Sequence, residues 1–361
     1  MKIIYYVSML CLSLSIAHSA FAKDVPLNEL IDRVLERSEL IKSGVFRHII
    51  HVAFNRDVVI SDNAELDALE MEYNQRRGNL LLIMRGTEWS VSLDQNSYEN
   101  PLRIVKENHA AEFLELTVPQ YIVSPKTSDI SDFDHSSYTF LGAGRIPTPS
   151  LRNYIRRNKA DARDLGSVTL ANGDVVRQIQ FTIPKASFSV LREHTVAGLD
   201  IWDFDTMLLN IYVMPEKGYV VRRIDECLPD GTIKLRYDSI DFIDRGNGIF
   251  FPNLFVRTNV WGKENNPGVH KYEILEASRL NETIPDRYFD RQLPKGTVIR
   301  DFRKTPWEFR AIRDGLASEL DVLFEEWKEA ERRKETEEVP KEAVPDIDSK
   351  ISEKIQKMPP K

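Results

Sequence analysis

The chain has 361 residues, 42% of them hydrophobic and 29% charged, with a formal net charge of -7. That balance belongs to a folded globular protein, because disordered chains combine few apolar residues with high charge. Its acidity argues against nucleic acid, whose binding rests on clustered cations, and the short basic pairs Arg156-Arg157 and Arg222-Arg223 read as solvated surface.

In chain order, the first element is an export signal. Met1-Lys2 gives a weakly positive start, Ile3 to Ile16 form an apolar run, and Ala20-Phe21-Ala22 is a small-x-small cleavage site. The run is too short, and too rich in serine and tyrosine, to make a membrane span of ~20 apolar residues. Cys11 lies inside the run rather than at its end, which rejects a lipid-attachment site. No second hydrophobic span follows, so the expectation is cleavage after Ala22 and a soluble or peripheral protein, periplasmic or secreted. Cleavage removes Lys2 and leaves Cys227 as the single cysteine, unable to form an internal disulfide. No base partner for Cys227 can be placed, so a nucleophilic role is not expected.

The mature chain opens with a helix. Asp24 can cap it, Pro26 suits its first turn, Leu27, Leu30, Ile31 and Val34 make one apolar stripe, and Gly44 stands where the chain leaves it. Strands follow over Val45 to Asn55, Leu80 to Met84 and Trp89 to Leu93, the last two joined as a hairpin by Arg85-Gly86-Thr87. Asn108 to Leu116 is ambiguous and leans to helix. The acidic stretch 129–134 and the glycine- and proline-rich stretch 141–149 read as loop, and Leu151 to Asp164 reads as a short helix.

From Val175 a meander of strands is expected: Val175 to Ile183, Met207 to Met214, Tyr219 to Glu226, Ile233 to Phe242, Phe250 to Trp261 and His270 to Leu280. Turn residues such as Pro229-Asp230-Gly231 separate them. In Ile233 to Phe242 the apolar positions change parity, which predicts a bulge near Asp238-Ser239. Met207 to Met214 is apolar on both faces and must be covered on both. Thr305-Pro306-Trp307-Glu308 has the form of a capping box and predicts an amphipathic helix to about Glu329, carrying Ile312, Leu316, Leu320, Leu323, Phe324 and Trp327. That stripe could dock a partner or simply pack on its own sheet. Beyond it, residues 331–361 read as a charged, flexible tail. The organisation is thus residues 1–22 signal peptide, 23–304 sheet and helices, 305–330 helix, and 331–361 tail.

A search for chemistry returns nothing specific. His48 and His51, three apart on a strand, face opposite ways and cannot share a metal. Asp200, Asp203 and Asp205 lack the glycine and closing glutamate of a calcium loop. Gly142-Ala143-Gly144 lacks the third glycine of a dinucleotide motif, and Asn281-Glu282-Thr283 is a common glycosylation triplet. No cofactor and no metal site are expected.

An amphipathic first helix, a long antiparallel meander and a second helix together resemble LolA-like proteins, the periplasmic carriers of outer-membrane lipoproteins. The run Leu280-Asn281-Glu282-Thr283-Ile284-Pro285-Asp286, with Phe289 and then Leu293-Pro294-Lys295-Gly296-Thr297-Val298-Ile299-Arg300-Asp301, is similar to one that closes the sheet in secreted bacterial relatives. The resemblance implies an α+β fold: a large curved antiparallel sheet, a half-open barrel, wrapped over helices, with the C-terminal helix added. It implies a non-catalytic protein holding a lipid, a lipoprotein acyl chain or another apolar ligand. Ile179, Phe181, Ile183, Leu209, Ile211 and Val213 are the candidate lining residues, though they could equally be packed core. Two alternatives stay open: an envelope interaction or sensor protein using the C-terminal helix, and an exported hydrolase using Asp203, Asp205 and His194.

Overall fold

The computed structural model describes residues 25–54, 62–69, 75–86, 88–92, 101–125, 144, 146, 149–184, 204–261 and 266–337. The segment expected as a signal peptide (residues 1–22), residues 338–361, Gly142, Ala143, His194, Asp200 and Asp203 lie outside the described residues.

Two meanders lie back to back in one open sheet. The first comprises β1 (Ser43–Phe54), β2 (Gln75–Arg85), β3 (Glu88–Ser92), β4 (Arg103–Val105), β5 (His109–Leu114) and β6 (Gln120–Pro125). The second comprises β7 (Arg163–Thr169), β8 (Val175–Pro184), β9 (Thr206–Met214), β10 (Val220–Cys227), β11 (Ile233–Asp244), β12 (Phe250–Trp261) and β13 (Asn266–Ser278). Successive strands pair antiparallel in each meander, and β1 pairs antiparallel with β13, from Val45 opposite Ser278 to Phe54 opposite Gly268. A parallel strand, β15 (Val298–Asp301), then joins β6, and β16 (Glu308–Arg310) makes the edge. The described sheet has fifteen strands and ends at β16 and β7 without closing. β14 (Gln292–Leu293) and β17 (Gly315–Leu316) form a separate small pair.

Four α-helices are described: α1 (Leu27–Ser38), α2 (Asn63–Asp67), α3 (Pro149–Arg157) and α4 (Leu320–Glu337). The stripe of α1 is buried as expected, with Leu30, Ile31, Val34 and Leu35 against the sheet, each contributing roughly 1.5–3 kcal/mol. The chain leaves it at Glu39, however, and Gly44 already lies in β1.

Four expectations need correction. First, 108–116 is not helical: Lys106 N–H donates to the His109 carbonyl (2.9 Å), turning the chain into β5. Pairing with β4 and β6, and the Arg103–Glu112 bridge (2.9 Å), overrides the helix preference of its Ala, Glu and Leu residues. Second, the C-terminal helix starts at Leu320, not at Pro306. The backbone of Asp301 and Trp307 closes a tight turn around a cis Thr305–Pro306 bond, and residues 308–310 become an edge strand that buries Phe309. Third, residues 331–337 are helical rather than tail, supported by the Arg333–Glu329 (2.5 Å) and Lys334–Glu331 (2.8 Å) pairs. Fourth, the register of β11 with β12 is unbroken at Asp238-Ser239. The parity change marks a change of covered face: Phe242 packs with Leu170, Val176, Met214 and Val220 on the face opposite α1. The local irregularities sit elsewhere, at Asp241 (φ 55°) and where β10 meets Lys234.

Candidate ligand-binding interior

One face of the sheet is apolar almost from end to end. Register aligns Ile179 (β8), Ile211 (β9), Ile224 (β10) and Tyr237 (β11) in one row. A neighbouring row continues through Ser239, Phe255 (β12), Tyr272 (β13) and Ile50 (β1). All six lining candidates lie on this face. Ile179, Phe181, Ile183, Leu209, Ile211 and Val213 are 0–2% exposed. They share one cluster with Met207, with Leu30, Ile31, Val34 and Leu35 of α1, and with Leu151 and Ile155 of α3. The strand expected to need cover on both sides therefore receives α1 and α3 on this side.

The helices are fastened by polar links at the rim. Lys159 bridges to Asp32 of α1 (2.9 Å) and Arg156 of α3 to Glu39 (2.7 Å). Arg37 donates to the Gly248 (2.8 Å) and Phe250 (2.7 Å) carbonyls of the β11–β12 turn. Arg177 donates to the Val25 carbonyl (2.5 Å) just before α1 and grips Asp164, whose carboxyl it holds below the usual carboxylate range. Half-exposed pairs such as Lys159–Asp32 contribute only ~0.2–1 kcal/mol each. Apolar burial holds the helices down, and the rim links set their position.

Sequence reading missed the other half of the face. Phe46, Phe251, Phe255, Tyr272, Trp89, Leu82 and Ile274 form a second buried cluster, and Tyr237 packs against both clusters. Phe46 and Phe251 stack with ring centroids 5.2 Å apart, and Phe255 and Tyr272 meet at a tilt, 5.5 Å between centroids. Among the described residues, none of this cluster's members lies on a helix. The signal was present as alternation (Phe46, His48, Ile50; Tyr272, Ile274) on strands whose adjacency no local pattern reveals.

Residues weighed for chemistry are scattered. Asp205 is exposed, and His48 is fully buried beside Tyr272 (ring centroids 6.0 Å). Cys227 is 1% exposed and accepts from Asn210 (3.4 Å); burial, reinforced by Asp225, pushes its thiol up to about 12, so it stays protonated. The Asn281 side chain is engaged: it donates to the Leu40 carbonyl (2.9 Å) and accepts from Lys42 N–H (2.7 Å). Arg222 and Arg223, expected at the surface, are respectively buried and half-buried in ion pairs on the opposite face. Among the described residues, no group of three His, Cys, Asp or Glu is placed to hold a metal ion.

Solved structures of similar arrangement include a LolA superfamily protein from Nitrosomonas europaea (TM-score 0.38, 10% identity, 73% of this chain and 97% of that one). A DUF1329 family protein from Desulfovibrio piger gives TM-score 0.41 at 10% identity over 73% of this chain and 95% of that one. A Mycobacterium tuberculosis lipoprotein, LppX, gives 0.28 at 12% over 72% and 97%. The resemblance read from the sequence thus recurs among solved structures. With TM-scores below 0.5, these likenesses bring no ligand or partner to this chain. No protein-family model and no curated protein matches the sequence. No described helix is long and apolar enough to cross a membrane.

Proposed function

We propose that this is an exported, non-catalytic binding protein of the bacterial envelope that holds a lipid or acyl chain against the helix-bearing face, in a half-open interior. The observation that supports this reading is the continuity of that face. Two apolar clusters share Tyr237, one capped by α1 and α3 and the other without a helix among its described members. A chain of methylenes needs such a surface and little else, since its binding rests on apolar area removed from water. In this reading Ile179, Phe181, Ile183, Leu209, Ile211 and Val213 floor the deep end, and ligand entry displaces α1 and α3, the acyl chain replacing the apolar contacts they lose and the weak rim pairs breaking.

The alternative role of the C-terminal helix as a partner-docking element has less behind it. Leu320, Leu323 and Phe324 are buried against Phe309, Ile299 and Tyr121, so the apolar stripe of α4 is used within the chain. The test is lipid extraction and native mass spectrometry of protein purified from its own envelope. A co-purifying acyl lipid supports the reading. Protein free of lipid that also fails to bind a fluorescent fatty-acyl probe overturns it.

A further inference from the structure

On the face opposite α1, seven charged side chains form one unbroken chain of contacts. Asp174 meets Arg222 (2.7 Å), Arg222 meets Asp238 (2.8 Å), and Asp238 meets Arg223 (2.8 Å). Arg223 meets Asp67 (3.2 Å), Asp67 meets Arg236 (2.5 Å), and Arg236 meets Asp225 (2.7 Å). An extra residue in β10 relative to β9, between Val221 and Arg223, lets adjacent Arg222 and Arg223 both reach Asp238. Six of the seven belong to the second meander and pair among themselves as three carboxylates and three guanidiniums. Asp67 is the supernumerary member. Its side chain is 38% exposed, whereas the three arginines are 3–12% exposed.

Asp67 ends α2, in the connection between β1 and β2. A hairpin can turn in two residues, yet α2 lies at the β10–β11 turn, with β11 three strands from β1 in the sheet, roughly 15 Å at the usual strand spacing. There Asn63 donates to the Gly231 carbonyl (3.0 Å) and accepts from Ile233 N–H (3.2 Å). Leu66 packs on Cys227, Ile233 and Val260. Asp62 caps the short helix by accepting from Glu65 N–H (2.8 Å).

We propose that residues 62–69 are a detachable strap, latched by Asp67 onto Arg223 and Arg236, which opens as a unit while the sheet stays folded. The physical basis is the charge count. Lifting the strap leaves each buried arginine with a buried or part-buried carboxylate of its own, so opening strands no unpaired charge of the kind that makes breaking a buried pair severe. What opening uncovers is an apolar floor of Leu208, Cys227, Ile233 and Val260, edged by Arg223 and Arg236. This inference is independent of lipid binding on the other face.

Cys227 is the reporter, because its thiol is buried under Leu66. The folded chain, prepared from Lys23 onward so that Cys227 is its single cysteine, is treated with a maleimide, and peptide mapping confirms the labelled site. Asp67→Asn should raise the Cys227 labelling rate about tenfold, the factor set by losing one charged hydrogen-bonding partner, with circular dichroism unchanged and the thermal midpoint lowered by only a few degrees. Labelling should also depend only weakly on urea below the unfolding transition, the signature of local opening. Asn63→Ala, at an exposed position, gives a second release if Asp67→Asn folds poorly. Equal labelling rates in wild type and in the folded variants, with the full urea dependence of global unfolding, would overturn the proposal.

Discussion

Replacing Phe181 by alanine tests the packing of the helix-bearing face most directly. Its side chain is 1% exposed on β8, opposite Leu209, in one cluster with the four buried residues of α1. Removing a buried phenylalanine costs about 3–5 kcal/mol, because the lost transfer energy is joined by the cavity left behind. For a denaturant slope near ~3 kcal/mol/M, the urea midpoint should fall by roughly 1–1.7 M. The cavity also offers a second readout. A fatty-acyl ligand that enters between α1 and the sheet should restore about 2.7 kcal/mol at a hundredfold excess over its dissociation constant. A double variant with Leu30→Ala should be non-additive, since residues of one cluster share the same cavity. Equilibrium urea unfolding followed by tryptophan fluorescence, with and without ligand, measures all three. A cost below about 1 kcal/mol for Phe181→Ala would refute the packing argument, and full additivity would refute the shared cavity.

Three further outcomes are expected. Burial, with Arg303 and Lys106 nearby, pulls the His109 imidazole down to about 4. The unfolded chain therefore binds more protons between pH 4 and 6.5, so stability should drop as pH falls through that window. His109→Gln should flatten that segment of a urea midpoint–pH profile. Asn281→Ala should cost about 1–3 kcal/mol through two lost hydrogen bonds and a strained positive φ, read by thermal unfolding. Asn281→Gly should regain part of that loss, because glycine accepts the φ of 62°. Asp32→Asn combined with Glu39→Gln should lower global stability by no more than ~1–2 kcal/mol. The same pair should speed hydrogen exchange in α1 selectively, since both exposed bridges to the α3 region are removed.

Much of the second meander was legible because its strands and turns are each encoded locally. Val175 to Ile183 alternates, and Pro229-Asp230-Gly231 breaks the chain where β10 turns into β11. The α1 stripe was legible for the same reason. Errors gathered where distant chain segments decide. His109 to Leu114 has the composition of a helix and is a strand because β4 and β6 flank it. Thr305 to Glu308 has the composition of a capping box, yet it lies in the turn beside an edge strand. Arg222-Arg223 looked like solvated surface because the carboxylates that neutralise them, Asp67, Asp174 and Asp238, lie up to 156 positions away in the chain. The six lining candidates were found on one strand pair. The aromatic half of the same face depends on β1 lying beside β13, which no periodicity announces.

That adjacency also governs how the chain can reach its fold. Within each meander, contacts join near neighbours in sequence, and such contacts form quickly. The β1–β13 seam instead brings Val45 to Ser278 and Phe54 to Gly268, so its loop-closure entropy must be met before any of its hydrogen bonds forms. β6 likewise waits for β15, more than 170 residues later. A chain synthesised N-terminus first therefore holds β1 and β6 with an unpaired edge until its last third arrives, a template for unwanted strand pairing. Substitutions along the seam should be felt in refolding rate and in aggregation during folding before they are felt in the final structure.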